Sequence, residues 1–175
     1  MKKRSRRIWA LLLMLTLGAI AGLVPFSAEA RRAGAEEPAV SWSATSPPIN
    51  LTHIFEGQIN RKGDPVGYHA RPGGKDPASA RVVAISDPPN KAGVYTARVQ
   101  IRKPNGPWLS KMSTFFPDSM SQNDVIQAIL HAYRNNTSHK PPKYSGPSGK
   151  GFTIEGYLLP DGRINTAFPV YRRNQ

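Results

Sequence analysis

Apolar and polar residues alternate most strictly over residues 94–102, where Tyr95, Ala97, Val99 and Ile101 interleave with Thr96, Arg98, Gln100 and Arg102. A period of two sends successive side chains to opposite faces, so this segment is predicted to be a half-buried strand with a basic outer face. Two shorter runs read the same way: residues 81–86, rich in Val and Ile and closed by Asp87-Pro88-Pro89-Asn90, and residues 109–116, closed by Pro117. The period lengthens to that of a helix once in the body. Val125, Ile126, Ile129, Leu130 and Tyr133 fall on one face, with Ser121 and Asp124 as a capping pair, which predicts an amphipathic helix of about four turns. Residues 152–159 and 163–170 then flank Pro160-Asp161-Gly162, the strongest hairpin signal in the chain. No internal repeat accompanies these elements. Together they predict an α+β fold of antiparallel β-strands with one main amphipathic helix.

Between the elements the chain is rich in breakers, with 15 Gly and 17 Pro among 175 residues, which argues against a long-helix bundle. Residues 51–74 carry His53, Gly57, Gly63, Gly67, His69, Gly73 and Gly74, a Gly-rich loop region whose backbone can turn tightly and approach a ligand closely. Residues 135–151 are polar and rich in Pro, Gly and Lys, and are predicted to form an exposed loop. Residues 31–49 are small, polar and Pro-punctuated, so they read as a flexible linker ahead of a folded domain over residues 50–175. Upstream, Lys2, Lys3, Arg4, Arg6 and Arg7 precede an uncharged, Leu-dense run and then Ala28-Glu29-Ala30. That is the pattern of a secretory signal peptide over residues 1–30, cleaved after Ala30 to leave a secreted or extracytoplasmic protein with no stable membrane association. An uncleaved N-terminal anchor over residues 8–24 is the rival reading, although a span normally needs ~20 residues.

Composition narrows the function. Lys and Arg number 24 against 11 Asp and Glu, a formal charge of +13, and most of the excess remains after residue 30. Such a body attracts anionic polymers or anionic surfaces. Zero cysteines remove disulfides, thiolate metal sites and Cys nucleophiles together. With 39% hydrophobic residues and 9% aromatics there is material for a core but not for a multi-span membrane protein or a wholly disordered chain.

Of four histidines, His53 and His69 share the Gly-rich region. Two imidazoles titrating near neutrality can act as general base and general acid in one site, or they are two unrelated surface histidines, which composition alone favours; the flanking glycines raise the weight of the first reading. His131 lies off the apolar stripe of the helix and His139 sits in the Lys/Pro loop, so both read as solvated. No HExxH, G-x-S-x-G or phosphate-loop motif occurs, and Glu56, Glu155 and Asp161 suggest no glycosidase pair. Lys111, among apolar and hydroxyl residues, is either an ordinary edge lysine or a group that stabilises charge on a phosphate. Arg98, Arg102, Lys103, Lys140, Lys143, Lys150, Arg172 and Arg173 could track a polyanion, and Tyr144, Tyr157, Phe168 and Tyr171 interleave with them as base-stacking candidates or as core.

The order of His53-x-x-x-Gly57, Gly67-x-His69, Lys111 with Ser113-Thr114-Phe115-Phe116-Pro117, the helix, Gly156 and the closing segment from Asp161 to Pro169 resembles the bacterial EndoU-type endoribonucleases over residues 50–171. The resemblance implies an EndoU-like nuclease domain with RNA as partner and no cofactor or catalytic metal, although manganese stimulates some relatives. It implies His69 as base and His53 as acid, in roles that are interchangeable at this stage, with Lys111 facing the phosphoryl oxygens. Gly67, Thr114, Thr166 and Phe168 would bind substrate. The family often has Tyr where Phe168 stands, and Phe can stack on a base but donates no hydrogen bond. The products implied are 2′,3′-cyclic phosphate and 5′-OH ends, because RNA brings its own nucleophile and needs only a base, an acid and a cation. A toxin role with a cognate immunity protein encoded elsewhere, or nutrient scavenging, would follow. The alternative from another class is a non-catalytic secreted basic module that binds nucleic acid or other anionic polymers.

Overall fold

The alternating segment forms the centre of the first of two three-stranded sheets. In the computed structural model, which describes residues 39–174, β3 (Ala80–Asp87), β4 (Tyr95–Arg102) and β5 (Trp108–Phe115) pair antiparallel in that order. Ala97, Val99 and Ile101 of β4 are buried while Arg98 and Arg102 are exposed, as the period of two requires. Ahead of this sheet a short hairpin, β1 (Gln58–Ile59) with β2 (Pro65–Val66), packs against β4 and β5. Tyr68, Tyr95 and Phe115 close this core, Tyr95 stacked on Phe115 and Tyr68 edge-on to it, each pair with centroids 5.0 Å apart.

The second sheet runs β6 (Lys143–Pro147), β7 (Thr153–Leu158), β8 (Ile164–Pro169), again antiparallel. Helix α1 (Gln122–Arg134) lies on it and buries Val125, Ala128, Ile129 and Ala132 against Tyr144, Ile154 and Ile164. Ser121 caps the helix: its hydroxyl accepts from the Asp124 amide (3.1 Å) and its own amide donates to the Asp124 carboxylate (3.1 Å), completing a capping box. Close approach of helix to sheet depends on Gly146, where a Cβ would stand 2.2 Å from the Ala132 carbonyl. The α+β class, the three strands, the helix and the final hairpin all match the hydrophobic pattern.

Two stretches depart from it. Residues 135–151 are not an exposed loop throughout: they include β6, and Tyr144 is fully buried, edge-on to Tyr133 at 5.8 Å. Five residues with only Tyr144 and Gly146 pointing inward carry too little alternation to register, and burial removes Tyr144 from the base-stacking candidates. The stretch read as linker is likewise tied down from Ser41 onward, where the Ser41 amide donates to Thr52 Oγ1 (2.8 Å). Ser43 N donates to Ile49 O (2.9 Å) and Leu51 N to Ser41 O (2.9 Å), Ile49 bridges β8 at Ile164, and Arg163 covers the Trp42 ring at 4.1 Å. Ile49 is fully buried. The signal and anchor readings of residues 1–30, and linker residues 31–38, lie outside the described residues.

A candidate active site around two histidines

The turn that carries His53, Thr52–Glu56, is a single π-helical turn ended by Gly57 at φ +71°. It is pinned at its start, where the His53 amide donates to Asn50 Oδ1 (2.9 Å). Residues 67–70 run alongside it: the Tyr68 amide donates to His53 O (2.8 Å) and the amides of His69 (2.8 Å) and Ala70 (3.1 Å) to Ile54 O. On its other side His69 O accepts the Phe116 amide at 2.8 Å, so His69 is held between the turn and the end of β5. Gly67 makes the approach feasible. It sits at φ +76°, and a Cβ there would lie 2.2 Å from His53 O.

The two imidazoles therefore converge, with ring centroids 6.1 Å apart and planes 33° from parallel. Both are buried. His69 Nδ1 lies 3.0 Å from the Thr114 carbonyl, which can only accept, so Nδ1 carries the proton and Nε2 keeps a lone pair. Ser113 Oγ stands 3.0 Å from the same Nδ1 and donates to Tyr68 O (2.6 Å). His53 Nδ1 lies 3.1 Å from Gln58 Oε1, an oxygen that also accepts from Asn50 Nδ2 (3.3 Å), which assigns the Nδ1 proton here too. Each ring thus has its Nε2 free of hydrogen-bond partners among the described residues.

Lys111 projects from the inner face of β5 and donates from Nζ to Gly67 O at 2.9 Å. Burial lowers its pKa to about 8. Burial also lowers His53 to about 4; the Gln58 hydrogen bond opposes this and the Lys111 charge adds to it. His69 is held well below 6.5 by burial first and then by the charges of Lys111 and His53, against the Thr114 hydrogen bond. Three groups that could each be cationic disfavour one another, and an anion between them would relieve all three.

A cavity of about 510 Å³ opens beside them, lined by Gly67 and His69 of the Gly-rich region, by Lys111, Ser113 and Thr114 of β5 and by Thr166 and Phe168 of β8. The Phe168 ring lies 5.4 Å from that of His69. Six of the seven residues singled out from the sequence border this cavity; the seventh, His53, does not line it, and its ring centroid lies 6.1 Å from that of His69. Val66, Asp87, Thr96 and Met112 complete the lining. Among the other candidates, Tyr157 is exposed on β7, and Tyr171 packs against the core shared by the helix and the second sheet, its hydroxyl donating to Pro88 O (3.3 Å). Lys143, Lys150 and Arg173 are engaged in ion pairs with Glu155, Asp124 and Asp87. No group of three or more carboxylate and imidazole side chains spaced to hold a metal occurs among the described residues.

The sequence offered no sign of Asn50 and Gln58 as partners of His53, nor of a polar network just beyond His69. There Arg71 donates to Tyr95 Oη (2.7 Å) and to Asp118 (2.9 Å), Tyr95 Oη donates to Asp118 Oδ1 (2.7 Å), and Tyr68 Oη to Asp76 Oδ1 (2.5 Å). These residues have no spacing rule to betray them. Ser113 was visible as part of a motif, but its contact with His69 was not.

The sequence profile described as Bacterial EndoU nuclease matches residues 49–171, which hold both sheets, the helix and the entire cavity. The chain belongs to the bacterial EndoU nucleases. A protein named "Toxin" from Bacillus cereus is 34% identical over 123 residues, which are 70% of this chain and 22% of that protein. This EndoU chain thus spans about a fifth of the length of the curated relative it matches. No solved structure matches it. The EndoU profile begins at Ile49, the buried residue at which the tied-down N-terminal stretch joins β8.

Proposed function

We propose that this EndoU nuclease cleaves RNA by attack of a ribose 2′-OH on the adjacent phosphorus, leaving 2′,3′-cyclic phosphate and 5′-OH ends. The observation that carries this reading is the convergence of two imidazoles, their ring centroids 6.1 Å apart, beside one half-buried lysine. His69, which borders the cavity, takes the 2′-OH proton on Nε2 as the 2′-O–P bond forms. His53 delivers a proton from Nε2 to the departing 5′ oxygen as the P–O5′ bond breaks. Lys111 faces the charge that gathers on the phosphoryl oxygens, and Phe168 offers its ring to a base. The bound phosphodiester supplies the missing negative charge, which raises the proton affinity of His53 so that it can serve as acid. Side chains alone perform these steps, with no cofactor.

The relative named "Toxin" and the signal-like N-terminus support a wider reading of this domain as the nuclease part of an exported toxin, with an immunity protein as its partner in the producing cell. In the test, purified protein is incubated with RNA and the fragment ends are analysed. His53→Ala and His69→Ala should each lower cleavage by about 10²- to 10⁴-fold in folded protein, and 2′-deoxyribose at the cut position should abolish it. Near-normal cutting by either folded variant, or equal cutting of the deoxy strand, would remove the mechanism.

A further inference from the structure

The basic outer face of the first sheet has no part in the chemistry above, yet it begins at the cavity. In β4 and β5 the outward pairs follow one another in register: Thr96 with Thr114, Arg98 with Met112, Gln100 with Ser110, Arg102 with Trp108. Thr96, Met112 and Thr114 also border the cavity. β5 is an edge strand, so Lys111 on its inner face and Met112 on its outer face reach the same opening. From Thr96 the face continues for six residues, about 20 Å at the rise of a strand.

Its chemistry is consistent along that length. Met112 is 56% exposed directly opposite Arg98. At the far end Arg81 donates from Nε (2.9 Å) and Nη2 (2.7 Å) to Gln100 Oε1, which fixes its guanidinium 4.3 Å from the centre of the Trp108 ring; Arg102 lies 5.9 Å from the same ring. Two guanidinium groups thus meet at one indole, and neither they nor Arg98 has an ion pair among the described residues. The carboxylate on this face, Asp87, is at the cavity end and accepts from Thr96 Oγ1 (2.6 Å). Like charges gathered without a counterion favour a polyanion, and a part-exposed indole beside exposed guanidinium planes favours one whose repeating units stack.

We infer that this face is an extended binding track for single-stranded RNA, leading from the cavity past Arg98 to the Arg81–Trp108–Arg102 cluster. The inference rests on the ribonuclease reading for its direction, since the track starts where the cut would be made, but strand binding is measurable without cleavage.

The test compares a dinucleotide with a strand of about ten nucleotides, for the wild-type chain and for Arg98→Ala, Arg102→Ala and Trp108→Ala. Wild-type kcat/KM should be higher for the longer strand. Trp108→Ala should lower it about 10- to 100-fold for that strand, while dinucleotide cleavage changes less than about twofold. Arg98→Ala, at an exposed position, carries the test if the tryptophan variant fails to fold. In parallel, binding of an all-deoxy strand is followed against salt. Replacing Arg81, Arg98 and Arg102 together should reduce the log–log slope by about 2. Equal length preference in wild type and variants with an unchanged slope would overturn the track, and so would equal losses on both substrates. Polyglutamate competing as well as RNA of equal charge would reduce the face to a generic polyanion patch and also overturn it. If nothing is cleaved but the deoxy strand binds with the expected slope change, the ribonuclease reading falls and the track stands.

Discussion

Replacing Lys111 with Met tests how the site is balanced, because charge and hydrogen bonding act in opposite directions there. Burial lowers the lysine from 10.5 to about 8, which puts the cost of keeping it charged at about 3 kcal/mol as an upper limit, since the side chain is not fully enclosed. Against this, the substitution leaves Gly67 O without its 2.9 Å donor, a loss of roughly 1 to 3 kcal/mol for a buried acceptor. Ser113 Oγ at 3.5 Å is too distant to compensate fully. Methionine keeps the length of the stem, so no cavity opens. The expected outcome is a protein slightly more stable than wild type near neutral pH, by about 1 kcal/mol, together with loss of cleavage by at least about 10²-fold. The imidazoles report the same event: with the neighbouring charge gone, both His53 and His69 should titrate higher. Urea unfolding gives the stability and NMR titration of the ring protons gives the pKa values. A variant clearly less stable than wild type, with imidazole titrations unmoved, would refute the idea that Lys111 is held at a cost for its charge.

The buried histidines make stability depend on pH with a definite sign. His53 titrates at about 4 in the folded chain against an ordinary 6.5, so between those values the unfolded chain binds more protons. The part of the stability that His53 controls should be full above about pH 6.5 and fall by about 3 kcal/mol as the pH drops through 4, with His69 acting in the same direction. Urea midpoints that stay flat or rise on acidification would contradict this. Gly67→Ala should cost more than about 2 kcal/mol and remove cleavage, because it adds the left-handed penalty at φ +76° to a Cβ 2.2 Å from His53 O. A stable, active Gly67→Ala protein in the same assays would show that the backbone does not approach His53 so closely.

The elements that were legible are those in which one period runs long enough to dominate. β4 offers four inward residues in strict alternation and α1 five at helical spacing, so nothing tertiary had to be known. β6 was hidden because its two inward positions are Tyr144 and Gly146, and the glycine matters through what it lacks. The docking of residues 41–49 was hidden because Trp42 finds Arg163 and Ile49 finds Ile164, partners more than a hundred positions away. At the site, His53, His69 and Gly67 stood out as residue types in a Gly-rich context, and Lys111, Thr166 and Phe168 through the order of motifs. What fixes the ring orientations was not legible, since Gln58, Asn50 and Ser113 are ordinary polar residues until the chain folds them against an imidazole.

The same distinction separates the site from the network that adjoins it. Asp118 accepts from Arg71 (2.9 Å) and Tyr95 Oη (2.7 Å), and Arg71 stands two residues beyond His69, so a change at Asp118 appears well placed to disturb catalysis. The hydrogen bonds argue otherwise. His69 is held by Ile54 O, by the Phe116 amide and by Thr114 O, none of which passes through Asp118. Asp118→Asn keeps the shape of the side chain but removes the charge that faces a guanidinium only 18% exposed. Arg71 retains Asp76 at 3.3 Å, so the loss should be partial, about 2 kcal/mol rather than the 3 to 5 of a fully orphaned buried ion. The expected result is a lower urea midpoint with kcat and KM per folded molecule unchanged within a few-fold. A fall in kcat of ten-fold or more in fully folded Asp118→Asn, with a displaced His69 titration, would mean that the network sets the imidazole after all.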